Sequence, residues 1–413
     1  MPALPEVLKQ REYRLLFSGY VASLLGDGMV AVALAFAVLD TGGSPSELGL
    51  VLAARLLALL ASLLAGGVIA DRIERRKVMV AADLTRLVSQ GVLAALLIQG
   101  HPSIPMIAAL TAITGAATGF FNPASTGLVP LIVEPRHLHQ ANGLRGTAQA
   151  VGEIFGPLLA GLLVVAASPG WALAIDAATF AVSAAFLAKL RLPPRTQGQA
   201  QSFFEDLKQG WGAFTAHTWV WSFVLTVSLA NIFWGAWSAL GPVVAKQDLG
   251  GAAAWGTVLA AFGAGGVLGG ATAIRTNPRR PMLVVVATGP IFAFPLALLA
   301  AHAQTPALAV AAFFCGFVVT LGNAIWESTL QRHIAPDEMS RVSAYDWFGS
   351  LAFYPIGLAL WGPISGQIGI YPSLWLAFGL MNVVMLAMFA VKDVYTLTNA
   401  PPTRDAPEPV APH

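Results

Sequence analysis

Asp27 and Glu153 each stand twelve residues into a long apolar run. Ionisable side chains in such a setting are costly, and they usually mark an ion or substrate path. Removal from water disfavours a charged carboxylate. Such a group can therefore take up and release a proton, or face a cationic ligand. The bland alternative is a permanently neutral, hydrogen-bonded spacer. Arg55 lies within the second run, about 10 Å from its outer end by helical rise. It needs a carboxylate or a wet cavity, and an acid on the first run is the expected partner. Asp83 and Arg86 share one helical face at i, i+3 and can simply pair. Asp176, near the outer end of the sixth run, reads as a structural, cap-like group.

Charge also gathers at the ends of runs. Asp71, Arg72, Arg75, Arg76 and Lys77 follow a long apolar stretch. Asp71 at a helix end can face the positive N-terminus of another helix, and the arginines can pair with acids or lipid phosphates. The same cations could equally serve only to set topology. Glu327 and Asp346 stand near the same-side ends of later runs and could join such a latch. Asn231, Trp234 and Trp237 recur at near-helical spacing, as do Asn323, Trp326 and Glu327. Tryptophan offers a broad apolar face that can hold a cation, plus one donor. These faces suit a bulky, amphipathic or cationic organic molecule; for Trp237 a lipid-facing interfacial role is the alternative.

Small residues form a third pattern. Gly143, Gly152, Gly156, Pro157, Ala160 and Gly161 fall in one run, and Gly265, Gly266, Gly269 and Gly270 in another. Small residues at four-residue spacing let helix backbones approach closely, and a proline inside a membrane helix permits a bend. The two runs are expected to pack on each other across the boundary between halves. The chain carries no phosphate-binding Gly-Lys-Ser/Thr loop, metal-ligand cluster or nucleophile triad. No enzyme activity, metal or cofactor is expected.

The elements that position these residues follow from composition. Hydrophobic residues make up 56% of the chain and charged residues 11%, against about 25% charged in soluble domains. Unbroken apolar runs of the length a bilayer requires argue for helices. We read twelve spans, at 15–39, 48–70, 78–99, 104–122, 141–165, 171–188, 218–244, 252–274, 281–302, 306–331, 341–366 and 372–391. Lys and Arg concentrate on one side of this array. They include Lys9, Arg11 and Arg14 before span one, Arg72 to Lys77 after span two, and Arg275, Arg279 and Arg280 after span eight. The opposite loops offer only Lys246. Positive charge marks the cytoplasmic side, so both termini are expected there. The start, MPALPEVLKQREYRLLF, lacks a cleavable signal pattern, and span one should act as its own insertion signal. Cys315 is the only cysteine, which excludes an internal disulfide.

The long connection 189–217 divides the chain into bundles at 1–188 and 218–395. Phe204, Leu207, Trp211 and Phe214 recur in it at helical spacing, which predicts an amphipathic helix on the membrane surface. A solvated loop is the alternative. Residues 396–413 form a Pro-rich tail expected to be disordered. The halves repeat: the stretch from Asn122 aligns with that from Asn323, an offset of 201 residues, and Pro135 then matches Pro336. Duplicated halves with a site between them are a transporter plan.

Four segments carry a family resemblance over residues 8 to 395. They are Gly67-x-x-x-Asp71-Arg72-x-x-Arg75-Arg76, Asn122-Pro123-Ala124 through Pro130, Gly143 to Gly161, and Ala174-Ile175-Asp176-Ala177-Ala178-Thr179-Phe180. The chain resembles the major facilitator superfamily, and in it the bacterial drug and siderophore exporter branch. The resemblance implies an all-α membrane protein of two pseudo-symmetric six-helix bundles, working as a monomer among lipids. It implies proton-coupled efflux of a small amphipathic compound, with Asp27 and Glu153 as the coupling candidates. Spans one, four, seven and ten would line the cavity, which assigns Asn231, Trp234, Asn323, Trp326 and Glu327 to the substrate. Asp71, Arg72, Arg75, Arg76 and Asp346 would form a cytoplasmic gate, with Asp71 facing the start of span eleven near Ser340 to Ala344. The pattern Gly152, Gly156, Pro157, Gly161 is associated in the family with antiporters. Glu74 stands where many relatives have Gly, Ala160 replaces another Gly, and span four lacks the Arg that a neighbouring branch uses for proton transfer. A nutrient importer of the same fold is the alternative function, and a non-transporting scaffold a third.

Overall fold

The computed structural model describes residues 5–70, 73–100, 102–192 and 203–398. Six helices make the first half: α1 (Arg11–Asp40), α2 (Pro45–Ala70), α3 (Arg75–Gln99), α4 (Ile104–Ile132), α5 (Leu138–Ala166) and α6 (Pro169–Ala188). A linker helix, α7 (Phe203–Ala216), leads into α8 (Thr218–Val244), α9 (Ala252–Ala273), α10 (Pro281–Ala287) and α11 (Gly289–Ala300). The chain continues through α12 (Thr305–His333), α13 (Pro336–Leu351), α14 (Tyr354–Ile368), α15 (Ile370–Ala387) and a short α16 (Asp393–Thr396). Asp71, Arg72 and the tail after residue 398 lie outside the described residues.

Among the described residues, eleven stretches are long and apolar enough to cross a membrane. They correspond to spans one to ten and twelve; span eleven is assembled from α13 and α14. Proline causes its break. Pro355 has no N–H for the Leu351 carbonyl, and it disfavours helical geometry at Tyr354. Pro290 interrupts span nine between α10 and α11 in the same way. Sharp starts are also sequence-encoded. At α2, Ser44 N–H and Oγ donate to Glu47 Oε2 at 2.7 and 2.8 Å, and Glu47 N–H donates back to Ser44 Oγ at 3.3 Å. That is a capping box.

Backbone-to-backbone contacts at glycine build each bundle. In the first, Gly156 lies against Gly28 where α5 crosses α1, and Gly152 lies against Leu24. In the second, Gly235 lies against Gly357 where α8 crosses α14. These are equivalent crossings in the two halves. The bundles then meet along two lines, α5 with α9 and α2 with α14. Gly161 packs on Ala252, Gly256 on the Pro157 carbonyl, and Gly263 on the Glu153 carbonyl; Gly49 packs on the Leu358 carbonyl. Spans five and eight thus do meet, with Pro157 and Gly161 at the contact on α5 but Gly256 and Gly263, not Gly265 and Gly269, on α9. Gly265 and Gly269 face Phe313 and Phe317 of α12. They stand on the opposite side of α9 and bring α12 close inside its own bundle.

Burial shows where the bundles part. One apolar core joins both halves at the end away from the termini, from Met29–Leu39 of α1 through Trp237–Ala245 and Trp255 to Trp361. At the terminus end there are two cores, one inside each bundle, around Tyr13, Met79 and Leu128 and around Trp219, Met282 and Leu330. The molecule is sealed at the far end and cleft at the terminus end. A side-chain bridge joins the bundles at the sealed end. Lys246 Nζ donates to Asp40 Oδ1 and to the Leu39 carbonyl, both at 2.7 Å, across the sealed end.

α7 is helical as expected, and it packs on α13. Phe214 is buried in the core of the second bundle and stacks on Tyr345 with ring centroids 5.6 Å apart; Trp211 meets Tyr345 edge-on.

Candidate functional site

A cavity of about 380 Å³ opens in the terminus half of the second bundle, walled by α8, α10, α11, α12, α13 and α15. The broken spans shape it. Thr288, at the α10–α11 break, and Ser350 and Leu351, just before the α13–α14 break, all lie on its wall. Asn231 is half-buried on the wall, and its Nδ2 donates to the Ser350 carbonyl at 2.8 Å. Asn323, Trp326 and Glu327 of α12 also face it. Trp326 lies on Phe223 with centroids 4.1 Å apart, and its Nε1 donates to Asp346 Oδ2 at 3.0 Å.

Two placements differ from the sequence reading. Trp234 does not line this cavity. It stacks on Phe292 at 4.6 Å and on Trp237 at 5.4 Å, and Trp237 continues to Trp255 at 4.8 Å. The stack belongs to the shared core, so Trp237 is buried rather than lipid-facing. Helical spacing placed Trp234 and Asn231 on neighbouring turns, but the extra turn carries Trp234 past the cavity into the sealed half. Asp346 is on the cavity wall, held by Trp326, rather than in a latch with cations.

The remaining described gate residues are engaged inside the first bundle. Arg75 donates to the Gly127 carbonyl of α4, and Arg76 Nη1 to the Leu190 carbonyl at 2.8 Å. Glu74 precedes α3 directly and pairs with Arg76 at 2.8 Å and Lys77 at 3.4 Å. Where the family resemblance implies Gly, this carboxylate gathers two neighbouring cations instead.

The first bundle holds a buried ionic network. Arg86 and Asp83 do pair, both almost fully buried. The guanidinium is sandwiched by Phe121 and Phe180, 4.3 Å from each centroid. Asp176 is not a cap. It lies two turns into α6, fully buried, and accepts from Gln90 Nε2 at 2.9 Å. The cap-like reading of this residue fails because its face points at α3 and α1, not at solvent. Ser23 Oγ donates to Asp27 Oδ2 at 3.2 Å. Arg55 makes no ion pair among the described residues; its charge acts on Asp176, as does that of Asp27. Glu153 lies at the bundle boundary, exposed, with its carboxylate accepting from Gln149 Nε2 at 3.0 Å. No hydrogen bond joins it to Asp27 among the described residues.

Sequence reading missed Arg145. Its guanidinium sits 4.6 Å from the Tyr20 ring centroid and donates to Ser125 Oγ at 3.2 Å, tying α5 to α1 and α4. The available signal was a lone arginine inside span five.

Known proteins match over most of this length. The model of the Major Facilitator Superfamily matches residues 16–352. Macrolide efflux protein A of Streptococcus pyogenes is 24% identical over 366 residues, covering 86% of this chain and 89% of that protein. Enterobactin exporter EntS of Salmonella choleraesuis is 24% identical over 405 residues, covering 95% of each. Among solved structures, the nucleoside transporter NupG is similar with a TM-score of 0.70 at 14% identity, covering 92% of this chain and 98% of its own. A bacterial homolog of the human lysosomal transporter Spinster, inward-facing and occupied, has a TM-score of 0.70 at 13% identity, covering 94% and 98%.

Proposed function

The chain belongs to the Major Facilitator Superfamily, and on that premise we propose that it exports a small amphipathic organic compound across the cytoplasmic membrane in exchange for protons. The observation that carries this reading is the 380 Å³ cavity lined by Trp326, Asn231, Asn323 and Glu327, in a molecule cleft at one end and sealed at the other. The excess of Lys and Arg supports the cleft end, with both termini, being cytoplasmic. The cavity is then open to the compartment from which an exporter loads. Efflux proteins among the relatives support the outward direction.

Transport would proceed by rocking the bundles about the α5–α9 and α2–α14 contacts until the cleft closes and the sealed end parts. Asp27 and Glu153 flank the α1–α5 crossing, one turned into the first bundle and one toward α9, and are the candidates for proton exchange. Arg75 and Arg76, with Asp71 and Arg72, would close the cleft against α13 in the opposite state.

The test is flux in inverted membrane vesicles with a panel of macrolides, siderophores and dyes. An imposed proton gradient should drive uptake, and Asp27→Asn should abolish the gradient-driven part while the protein level holds. Full transport by Asp27→Asn removes that residue from coupling. In intact cells, collapsing the gradient should raise the substrate level; a fall would mean import.

A further inference from the structure

The cavity in the second bundle has an electrostatic character that the export reading leaves unspecified. Two carboxylates, Glu327 and Asp346, stand on its wall, and no Lys, Arg or His does among the described residues. The two acids act on each other electrostatically. They are not equivalent. Asp346 is about half satisfied by the Trp326 indole at 3.0 Å. Glu327 makes no hydrogen bond or ion pair among the described residues. The basic residues further along α12 are committed elsewhere: Arg332 donates to Asn277 Oδ1 at 3.0 Å, and His333 Nδ1 meets the Thr329 carbonyl at 2.9 Å. Glu327 is exposed on the cavity wall near the terminus-side end of α12, with no protein counter-charge beside it, and a cation entering the cavity can supply that charge.

The rest of the wall suits the body of such a cation. Phe223, Trp326, Trp347 and Phe292 present aromatic surface, and Met385 and Met388 present flexible thioethers. Aromatic faces attract cations, and methionines adapt to varied shapes. The volume lies near the lower end of the roughly 300–1,000 Å³ typical of small-molecule sites.

We propose that this cavity selects lipophilic organic cations, with Glu327 as the anchoring carboxylate and Asp346 as a second, Trp326-held acid. The inference rests on the export reading only in taking this cavity as the place where substrate sits.

The experiment compares two ions of nearly the same shape and opposite charge, tetraphenylphosphonium and tetraphenylborate, binding to the purified full-length protein by calorimetry. The phosphonium should bind at least about tenfold more tightly, the ratio that ~1.4 kcal/mol produces. Glu327→Gln should weaken the phosphonium about tenfold without weakening the borate. Asp346→Asn should have the smaller effect. Glu327→Asp retains the charge and should retain the preference, which covers the case in which Glu327→Gln fails to fold. Equal affinity for the two ions, binding of neither, or wild-type phosphonium affinity in folded Glu327→Gln would each overturn the proposal. Because binding is read without flux, charge-selective binding with no vesicle transport would sink the export reading alone. Gradient-driven flux without charge selectivity would sink only this one.

Discussion

Replacing Lys246 by Met should loosen the sealed end. Lys246 makes two hydrogen bonds across the bundles, to Asp40 Oδ1 and to the Leu39 carbonyl near the C-terminus of α1. Its side chain is 40% exposed and that of Asp40 is 43% exposed, so the ion pair is solvent-screened and contributes only ~0.5–1 kcal/mol. A cation at a helix C-terminus adds ~0.3–1 kcal/mol through the dipole and the carbonyl bond. Together these give ~1–2 kcal/mol, roughly a five- to thirtyfold change in the ratio of sealed to parted molecules. The rest of the seal is the shared apolar core and the backbone packing of Gly161, Gly256 and Gly49, which the substitution leaves in place. Spin labels on cysteines replacing exposed Ala167 and Gln247 would report the separation of the far ends, since the native Cys315 is buried. Lys246→Met should add a longer-distance population in that proportion. Asp40→Asn should act in the same direction, and the double variant should fall short of the sum, because the two side chains share one interaction. High salt should move the wild type part of the way. An unchanged distance distribution in Lys246→Met, alongside a widened one in Gly256→Leu, would refute the argument and assign the seal to packing alone.

Further expectations concern the bundle interiors. Arg86→Met leaves Asp83 charged and buried, which should cost ~3–5 kcal/mol. A fluorogenic thiol dye on buried Cys315 would read the lower unfolding temperature, and adding Asp83→Leu should restore much of the loss. Gly156→Val puts branched carbon where the Gly28 backbone already lies, so α1 and α5 cannot close; the same dye assay should find an unstable protein, and a wild-type melt would contradict the packing. Trp326→Phe keeps the contact with Phe223 but frees Asp346 of its donor. Substrate affinity should change several-fold with little loss of stability, and an unaltered affinity would mean that Asp346 does not touch the substrate.

The linear chain determined a good deal. The lengths of the apolar runs, the prolines at 290 and 355, the Ser44–Glu47 box and the glycines of α5 act over a turn or two of helix. Their consequences follow from backbone hydrogen bonding and the bilayer alone, whatever surrounds them. The Asp83–Arg86 pair is legible for the same reason, both residues lying on one helix face. Tertiary structure decided everything that depends on which faces meet. Asp176 finds Gln90, Arg86 finds two phenylalanine rings, Lys246 finds Asp40 and Trp234 leaves the cavity for the shared core, because each helix is apolar nearly all round and its pattern does not say which side faces protein and which faces lipid. The direction in which the cleft opens is decided there too, since it reflects which of two packings between the same bundles holds more surface together.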